Sequence, residues 1–211
     1  MNYLKKLYVA LTFDDGTLHQ YYLAKLLHNL GIKATFFLVT DLKRPNNKYL
    51  VSQDTEKILE LSRYHEIASH TCTHRSLVGL SSNEIERECQ KSKEFLEEIT
   101  GKEVCGFAYP NYVFSKKVIE SVKKYYLYAR ARANVPDRWN IKFFDIYRIG
   151  SILKGGLPLI PFKSIKCKKV PIVMSFHDIS PFSLFLIIRY LKSFRCEFMS
   201  LAELINVHRS F

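Results

Sequence analysis

Short apolar runs alternate with longer amphipathic segments along the chain. The runs are rich in β-branched and aromatic residues and are bounded by glycine, proline or polar residues, which is the pattern of buried strands. The strands that this pattern predicts are 7–13, 34–39, 66–69, 104–109, 126–131, 143–149, 171–176 and 196–199.

The segments between these runs carry apolar residues at helical spacing, together with signals that begin and end helices. Ser81 and Glu84 form a capping box, Asp54 and Ser115 are typical N-cap residues, and Gly31 is placed to end a helix. The predicted helices are 21–30, 55–64, 82–100, 116–124, 183–194 and 201–207. The polar or glycine- and proline-containing segments 41–53, 134–140 and 150–169 are predicted to be loops or irregular.

The alternation of strands and helices predicts parallel strands, in either an α/β barrel or a doubly wound sheet. No internal repeat or linker divides the sequence, so we expect a single domain over residues 1–211. Polar residues follow the carboxyl ends of several predicted strands, at the edge where both architectures form their sites. They are Asp14, Asp15, His70, His74, Pro110, Asn111, His177 and Asp178.

Composition is that of a globular protein. The 211 residues are 47% hydrophobic, which is enough for a sizeable core. The most apolar run, 182–191, contains Arg189 and has about half of the ~20 residues that a membrane span needs. Because no long apolar segment follows Lys5 and Lys6, we expect no signal peptide and a cytoplasmic location. The five cysteines include no C-x-x-C pair, which argues against a disulfide framework or a zinc ribbon.

The net charge of +12 favours anionic partners, although a lysine-rich solvated surface gives the same value. The densest basic stretch, 163–169, has no interleaved aromatic residues, so it is weak evidence for a nucleic-acid surface and no clear nucleic-acid motif is present. Acidic glycans and lipid headgroups remain open as partners, and peripheral association with a membrane is one consequence of the second.

Two adjacent carboxylates, Asp14 and Asp15, end the first apolar run and are followed by Gly16. Such carboxylates repel each other, and a cation relieves the repulsion. One Asp with the two imidazoles of His70 and His74 makes a three-ligand set that leaves positions open for water and substrate. We therefore expect Asp15, His70 and His74 to bind a divalent ion, Zn²⁺ first and Co²⁺, Ni²⁺ or Mn²⁺ as alternatives.

Asp14 is then free to take a proton from the attacking water as a general base, and His177 at the end of a late strand is a candidate general acid. Each motif also has a structural explanation. Asp-Asp-Gly occurs in turns and before helices, and a lone histidine at a strand end is often bonded to backbone in a core.

Four segments occur together in the order and approximate spacing found in one family. They are T-F-D-D-G from Thr12, H-E-I-A-S-H-T-C-T-H from His65, F-A-Y-P from Phe107 and S-F-H-D from Ser175. In these segments the chain resembles the polysaccharide deacetylases, the NodB-homology enzymes of carbohydrate esterase family 4 (CE4). The resemblance implies a distorted (β/α) barrel with fewer than eight regular units. It also implies metal-dependent hydrolysis of the N-acetyl group of a sugar or glycan.

The resemblance assigns roles to individual residues. It implies Asp14 as the base, Asp15 with His70 and His74 as metal ligands, and His177 as the acid. It also implies that the backbone N–H of Asn111, just after the motif's proline, stabilises the oxyanion.

One position departs from the family pattern, in which many members carry an arginine two residues before that proline. This chain has Ala108 there, and Arg130 and Arg132 are the candidates to replace the arginine. The carboxylate that supports His177 is expected to be Asp137 or Asp145. The aromatic residues Tyr109, Tyr112 and Trp139 are candidates for stacking on a sugar ring. Hydrolysis of a non-sugar C–N bond, as in a ureide or cyclic imide, and a glycan-binding module with weakened catalysis are the alternative functions.

Overall fold

A computed structural model describes residues 7–41, 51–131, 149–151 and 172–209 of the chain. Its strands are β1 (Leu7–Asp15), β2 (Thr35–Leu38), β3 (Glu66–Ser69), β4 (Gly106–Ala108), β5 (Tyr128–Arg130), β6 (Ile149–Ser151), β7 (Ile172–Phe176) and β8 (Cys196–Phe198). Its helices are α1 (Leu18–Asn29), α2 (Thr55–Tyr64), α3 (Ser82–Thr100), α4 (Lys116–Val122), α5 (Pro181–Lys192) and α6 (Leu201–Arg209).

All the described strand pairs are parallel, in the order β5-β4-β3-β2-β1-β7-β6, and β8 pairs with the first residues of β1. The sheet curls into a half-barrel that helices surround, so the predicted α/β fold with a distorted barrel is confirmed. Because the strands are parallel, the residues at their carboxyl ends share one rim, here called the carboxyl rim.

Much of the core packs around β1, which pairs with β2, β7 and β8. Phe13 stacks on Phe36 of β2 with ring centroids 4.8 Å apart and packs on Phe176 of β7 at 5.3 Å. All three rings are buried. A strand covered on both faces carries a continuous apolar run rather than alternation, as residues 7–13 do apart from Thr12, whose buried hydroxyl donates to the Met174 carbonyl oxygen at 2.9 Å.

Most helix boundaries follow the capping signals in the sequence. The capping box of Ser81 and Glu84 is formed at the start of α3, and Gly101 ends that helix with a φ of 64°. Two helices begin earlier than predicted because their caps were missed. Thr17 caps α1, and Ser180 caps α5 with a proline in its first turn.

The prediction for the region before β7 is partly wrong. Gly150 and Ser151 were expected to be irregular but belong to β6, which pairs with β7. Residues 143–148, the rest of the predicted strand, lie outside the described residues. None of the described helices is long and apolar enough to cross a bilayer.

Candidate active site

The carboxyl end of β1 carries both acidic residues to the rim and turns sharply after them. Asp14 is 1% exposed, whereas Asp15 is only partly buried and has a φ of 81°. Gly16 follows with a φ of 76°, and a Cβ on it would lie 2.6 Å from the Leu38 side chain. The glycine therefore lets β1 turn beside β2 while its two carboxylates face different surroundings.

Asp15, His70 and His74 converge at the rim. The Nε2 atom of His74 lies 3.3 Å from Asp15 Oδ1, and that of His70 lies 3.7 Å from it. One ligand atom from each residue lies within 4.8 Å of the others, and no other described group of three His, Cys, Asp or Glu side chains comes together in this way. The spacing is that of atoms arranged around one ion rather than bonded to each other.

The chemistry of these three side chains fits a divalent ion. Asp15 Oδ1 is shielded from solvent and has no hydrogen-bond partner among the described residues, so this oxygen is available as a ligand. His70 Nδ1 lies 2.9 Å from the carbonyl oxygen of Ala108, so the ring donates there and keeps the Nε2 lone pair for a ligand. Burial lowers the pKa of His70 to about 4, which keeps the ring neutral at pH 7.

Glu88 of α3, which the sequence reasoning missed, holds the segment that carries the two histidines. Its carboxylate accepts from the backbone N–H of Cys72 at 3.0 Å and from the N–H and hydroxyl of Thr73 at 2.8 and 2.7 Å. Arg75 Nε donates to the same carboxylate at 3.0 Å. The signal available in the sequence was an acidic residue next to the apolar face of a predicted helix, three positions after Ile85.

Asp14 sits in a basic and aromatic environment. Arg130 donates to its Oδ1 in a fully buried ion pair, Tyr112 donates to Oδ2 at 3.4 Å, and His177 Nε2 lies 3.5 Å from the same oxygen. Burial alone would raise the pKa of Asp14, but the charges of Arg130, His70 and His177 lower it overall. Asp14 is therefore ionised at neutral pH and is suited to accept a proton. Burial raises the pKa of Tyr112 to about 12, so its hydroxyl stays a donor.

Arg130 comes from the strand next to the one where the family's arginine is expected. Ala108 and Arg130 are register partners in the parallel pair of β4 and β5. Register partners leave a sheet on the same face, so an arginine at either position points toward the same space. The departure at Ala108 therefore leaves Asp14 with a guanidinium partner.

Gln20, which the sequence reasoning also missed, ties two strand ends together. Its side-chain amide donates to the carbonyl oxygens of Asp14 at 2.5 Å and His177 at 2.8 Å, and its oxygen accepts from Gly16 N–H at 3.0 Å. The residue is 1% exposed, on the first turn of α1. These two hydrogen bonds from Gln20 set the spacing between the backbone of Asp14 and that of His177.

Backbone strain concentrates at the same rim. Six described residues other than glycine have a positive φ, and five of them lie at or beside the converging side chains. Those five are Asp15, Thr71, His74, Asn111 and Tyr112. Each such conformation costs about 1–3 kcal/mol and persists at positions where geometry matters more than stability.

The remaining predicted site residues differ in position. Asn111 is exposed in the turn Pro110–Tyr112 that follows β4, with a φ of 54° and a ψ of 14°. Tyr112, in the same turn, packs its ring edge-on against His177 with centroids 5.9 Å apart. Arg132, Asp137, Trp139 and Asp145 lie outside the described residues.

The prediction that Tyr109 stacks on a sugar is wrong. Tyr109 is 1% exposed, and its ring packs against Phe107 and Phe114 in the core. It comes one residue after β4 ends, before the turn that brings Asn111 and Tyr112 to the surface. The Tyr109 side chain therefore belongs to the hydrophobic core and not to the carboxyl rim.

Comparisons with known proteins agree with the resemblance seen in the motifs. YxkH of Bacillus subtilis (strain 168), provisionally named as a polysaccharide deacetylase, is 27% identical over 118 residues. These residues cover 55% of this chain and 41% of YxkH, so the chain spans less than half the length of that relative.

Solved structures share the fold at lower identity. A family 4 acetyl xylan esterase from Clostridium thermocellum, in complex with a cobalt ion, is 22% identical, with a TM-score of 0.66 over 94% of this chain and 90% of that one. A CE4-family pseudoenzyme from Bacillus anthracis is 20% identical, with a TM-score of 0.68 over 94% of this chain and 65% of that one. A family model described as polysaccharide deacetylase matches residues 2–129, more than half of the sequence. The chain therefore belongs to the polysaccharide deacetylase family.

Proposed function

We propose that this chain is a metal-dependent hydrolase that removes N-acetyl groups from an N-acetylated sugar or glycan. The observation that carries the proposal is the pairing of two arrangements on one rim. An Asp–His–His set with an unpartnered carboxylate oxygen lies beside an ionised Asp14 that contacts His177. Water activation and proton transfer need these two arrangements side by side.

Asp15, His70 and His74 would hold the ion, with Zn²⁺ favoured by the nitrogen-rich ligand set and Co²⁺, Ni²⁺ or Mn²⁺ as alternatives. When bound, such an ion acts as a Lewis acid that polarises a carbonyl and lowers the pKa of a water ligand towards about 7. The carbonyl of Ala108 supports this role because its bond to His70 fixes the ring orientation.

Asp14 takes the proton of the attacking water. Its lowered pKa keeps it ionised, and Arg130 and Tyr112 hold its two oxygens in place. The ion pair with Arg130 also lets the charged Asp14 carboxylate stay buried beside the site. A carboxylate surrounded by water would have no such fixed orientation.

His177 gives a proton to the leaving amine, so that the amine departs neutral rather than as an anion. Its ring lies next to both Asp14 and Tyr112 and is partly exposed, so an incoming amide can reach it. The backbone N–H of Asn111, in the adjacent turn, supplies a donor for the oxyanion.

Acetate release from N-acetylglucosamine oligomers tests the proposal. We expect the chain to lose activity on treatment with a chelator and to recover it when Zn²⁺ or Co²⁺ is restored. His177→Ala should lose about 10²- to 10⁴-fold in acetate release while retaining its bound metal. Asp15→Ala should lose both metal and activity. Full activity in the chelated protein, or in His177→Ala, would reject the assigned roles.

A glycan-binding module is the second candidate, because one of the similar structures is a pseudoenzyme and Ala108 departs from the family pattern. The ion pair of Arg130 with Asp14 speaks against it, since the base retains a guanidinium partner. Metal analysis combined with the acetate assay separates the two functions. Stoichiometric metal and glycan binding without any hydrolysis of acetylated sugars would favour the binding module.

A further inference from the structure

Helix α5 exposes large aromatic residues on the side that faces away from the core. Phe182 is 71% exposed and Phe185 is 42% exposed. The same exposed side continues with Arg189 and Lys192 at helical spacing. These four residues are called the aromatic–basic face.

The aromatic residues of this face are additional to what the fold needs. Leu184, Ile187, Ile188 and Leu191 already bury the inner side of α5 against the core. A helix packed in this way ordinarily carries polar residues on its outer side. Two exposed phenylalanines on one helix face therefore indicate a surface that something apolar covers.

The face begins beside the candidate active site. α5 starts at Pro181, four residues after His177, so Phe182 lies at the carboxyl-rim end of the helix. His19 Nε2 lies 2.8 Å from the carbonyl oxygen of Ile179 and brings the first turn of α1 against this segment. Tyr22, one turn further along α1, is 60% exposed.

The charge of the face identifies its partner. Residues 181–192 contain two cations and no carboxylate, and the chain as a whole carries a net charge of +12. A two-fold contact with a second copy of this chain would bring two cationic faces together with no carboxylate from either helix to pair with them. An anionic bilayer accepts both parts of the face, with aromatic rings at the acyl boundary and cations among the headgroups.

We propose that the aromatic–basic face seats this chain on anionic lipid bilayers, with α5 lying along the surface. Phe182 and Phe185 enter the interface, and Arg189 and Lys192 contact acidic headgroups. The carboxyl rim then lies at the edge of the membrane surface. This goes beyond the proposed hydrolase and does not depend on it.

Vesicle co-sedimentation tests the proposal without any turnover, so its result stands apart from the acetate assay. We expect the full chain to sediment with vesicles of phosphatidylglycerol and phosphatidylcholine and to remain in solution with phosphatidylcholine alone. Phe182→Ser with Phe185→Ser should weaken partitioning at least about tenfold. Arg189→Gln with Lys192→Gln should weaken it about thirtyfold, and added salt should have the same effect in the parent.

Leu127→Ser is the matched control. Leu127 is 56% exposed and directly precedes β5. β5 is the edge strand on the other side of the sheet from β7 and the helix α5 that follows it, so the loss of Leu127 should leave partitioning unchanged. A second readout is Trp139→Phe with Phe182→Trp, whose emission should shift to the blue when anionic vesicles are added.

Several results would overturn the proposal. They are equal partitioning of the Phe182→Ser, Phe185→Ser variant and the Leu127→Ser control, or equal binding to neutral and anionic vesicles. A parent dimer that the double serine variant converts to monomer would make the face a self-association surface instead. A marked loss of thermal stability in that variant, without vesicle binding by the parent, would mean that the chain itself covers the face.

Discussion

One carboxylate lies at the carboxyl ends of the strands and another at their amino ends, and the pKa values of the two shift in opposite directions. At the carboxyl rim, Asp14 pairs with the guanidinium of Arg130. At the other end, Glu66 at the start of β3 accepts from three neutral groups, the Tyr128 hydroxyl at 2.5 Å, the Thr35 hydroxyl at 2.7 Å and the Ala202 N–H at 3.0 Å.

Burial raises the pKa of Glu66, and its neutral hydrogen-bond donors only partly offset the effect. Burial acts in the same direction on Asp14, but the neighbouring cationic groups lower its pKa overall. Because burial acts on both carboxylates in the same direction, the charge of the partner decides which way each pKa moves. Asp14, with the lowered pKa, lies among the strained residues of the candidate site, and Glu66 joins β3 to the first turn of α6.

The largest contrast is expected from removing the charge at each end in turn. Asp14→Asn should lower acetate release by about 10²- to 10⁴-fold and destabilise the fold by about 3–5 kcal/mol, because Arg130 is left buried and unpaired. Glu66→Gln removes a carboxylate at the other end of the strands, away from the candidate site, and should leave activity near that of the parent. Acetate assays and urea denaturation measure both. A strong activity loss in Glu66→Gln would remove the distinction.

A second experiment tests whether a guanidinium beside Asp14 supports activity irrespective of the strand that carries it. Arg130→Ala should lower activity by about 10- to 100-fold, since Asp14 loses the group that orients it. Adding Ala108→Arg to that variant should restore part of the activity, because positions 108 and 130 are register partners. Unchanged activity in Arg130→Ala would show that the ion pair has no part in the chemistry.

A smaller effect is expected from Glu88→Gln, which keeps the shape of the side chain but removes its charge. The segment carrying His70 and His74 should become less ordered, and metal affinity should fall about tenfold. Glu84→Gln is the control on the same helix, since glutamine preserves the capping box. Competition with a chromophoric chelator measures the affinity. Equal affinities in the two variants would limit Glu88 to a stabilising role.

The smallest effect is on the pH dependence of stability. The pKa of Glu66 is raised in the folded state, so its contribution is present below the unfolded pKa and is lost as the pH rises through the folded value. Glu66→Gln should therefore gain stability relative to the parent as the pH rises from acidic to neutral, as measured by thermal melting.

Glu203 provides a control of opposite sign. Burial acts to raise its pKa, but hydrogen bonding and charge from Lys33 lower it overall. Its contribution is present above the unfolded pKa and is lost as the pH falls, so Glu203→Gln should lose stability relative to the parent at neutral pH. Parallel pH profiles for the two variants would contradict the assignment.

The fold was largely predictable because its signals are local. The apolar run of β1, the capping box at Ser81 and the glycine at position 31, which has a φ of 66° just after α1, depend on neighbouring residues alone. The convergence of Asp15 with His70 and His74 followed from parallel strands sharing one rim.

Residues that act across the sheet were harder to predict. Gln20 and Glu88 have their roles through bonds to distant backbone, and no short motif marks such bonds. Arg130 was one of two candidates because register cannot be read from a single strand. Tyr109 was misassigned since proximity to the motif does not tell which neighbour turns inward.

The placement of Arg130 bears on how relatives of this chain are classified as active enzymes or pseudoenzymes. A sequence motif compares residue identities at fixed positions, and at position 108 that comparison records the absence of the family's arginine. In the three-dimensional structure, however, the register partner Arg130 supplies a guanidinium to Asp14 from the neighbouring strand. Degenerate motifs in this fold are therefore better judged after neighbouring strands have been superposed.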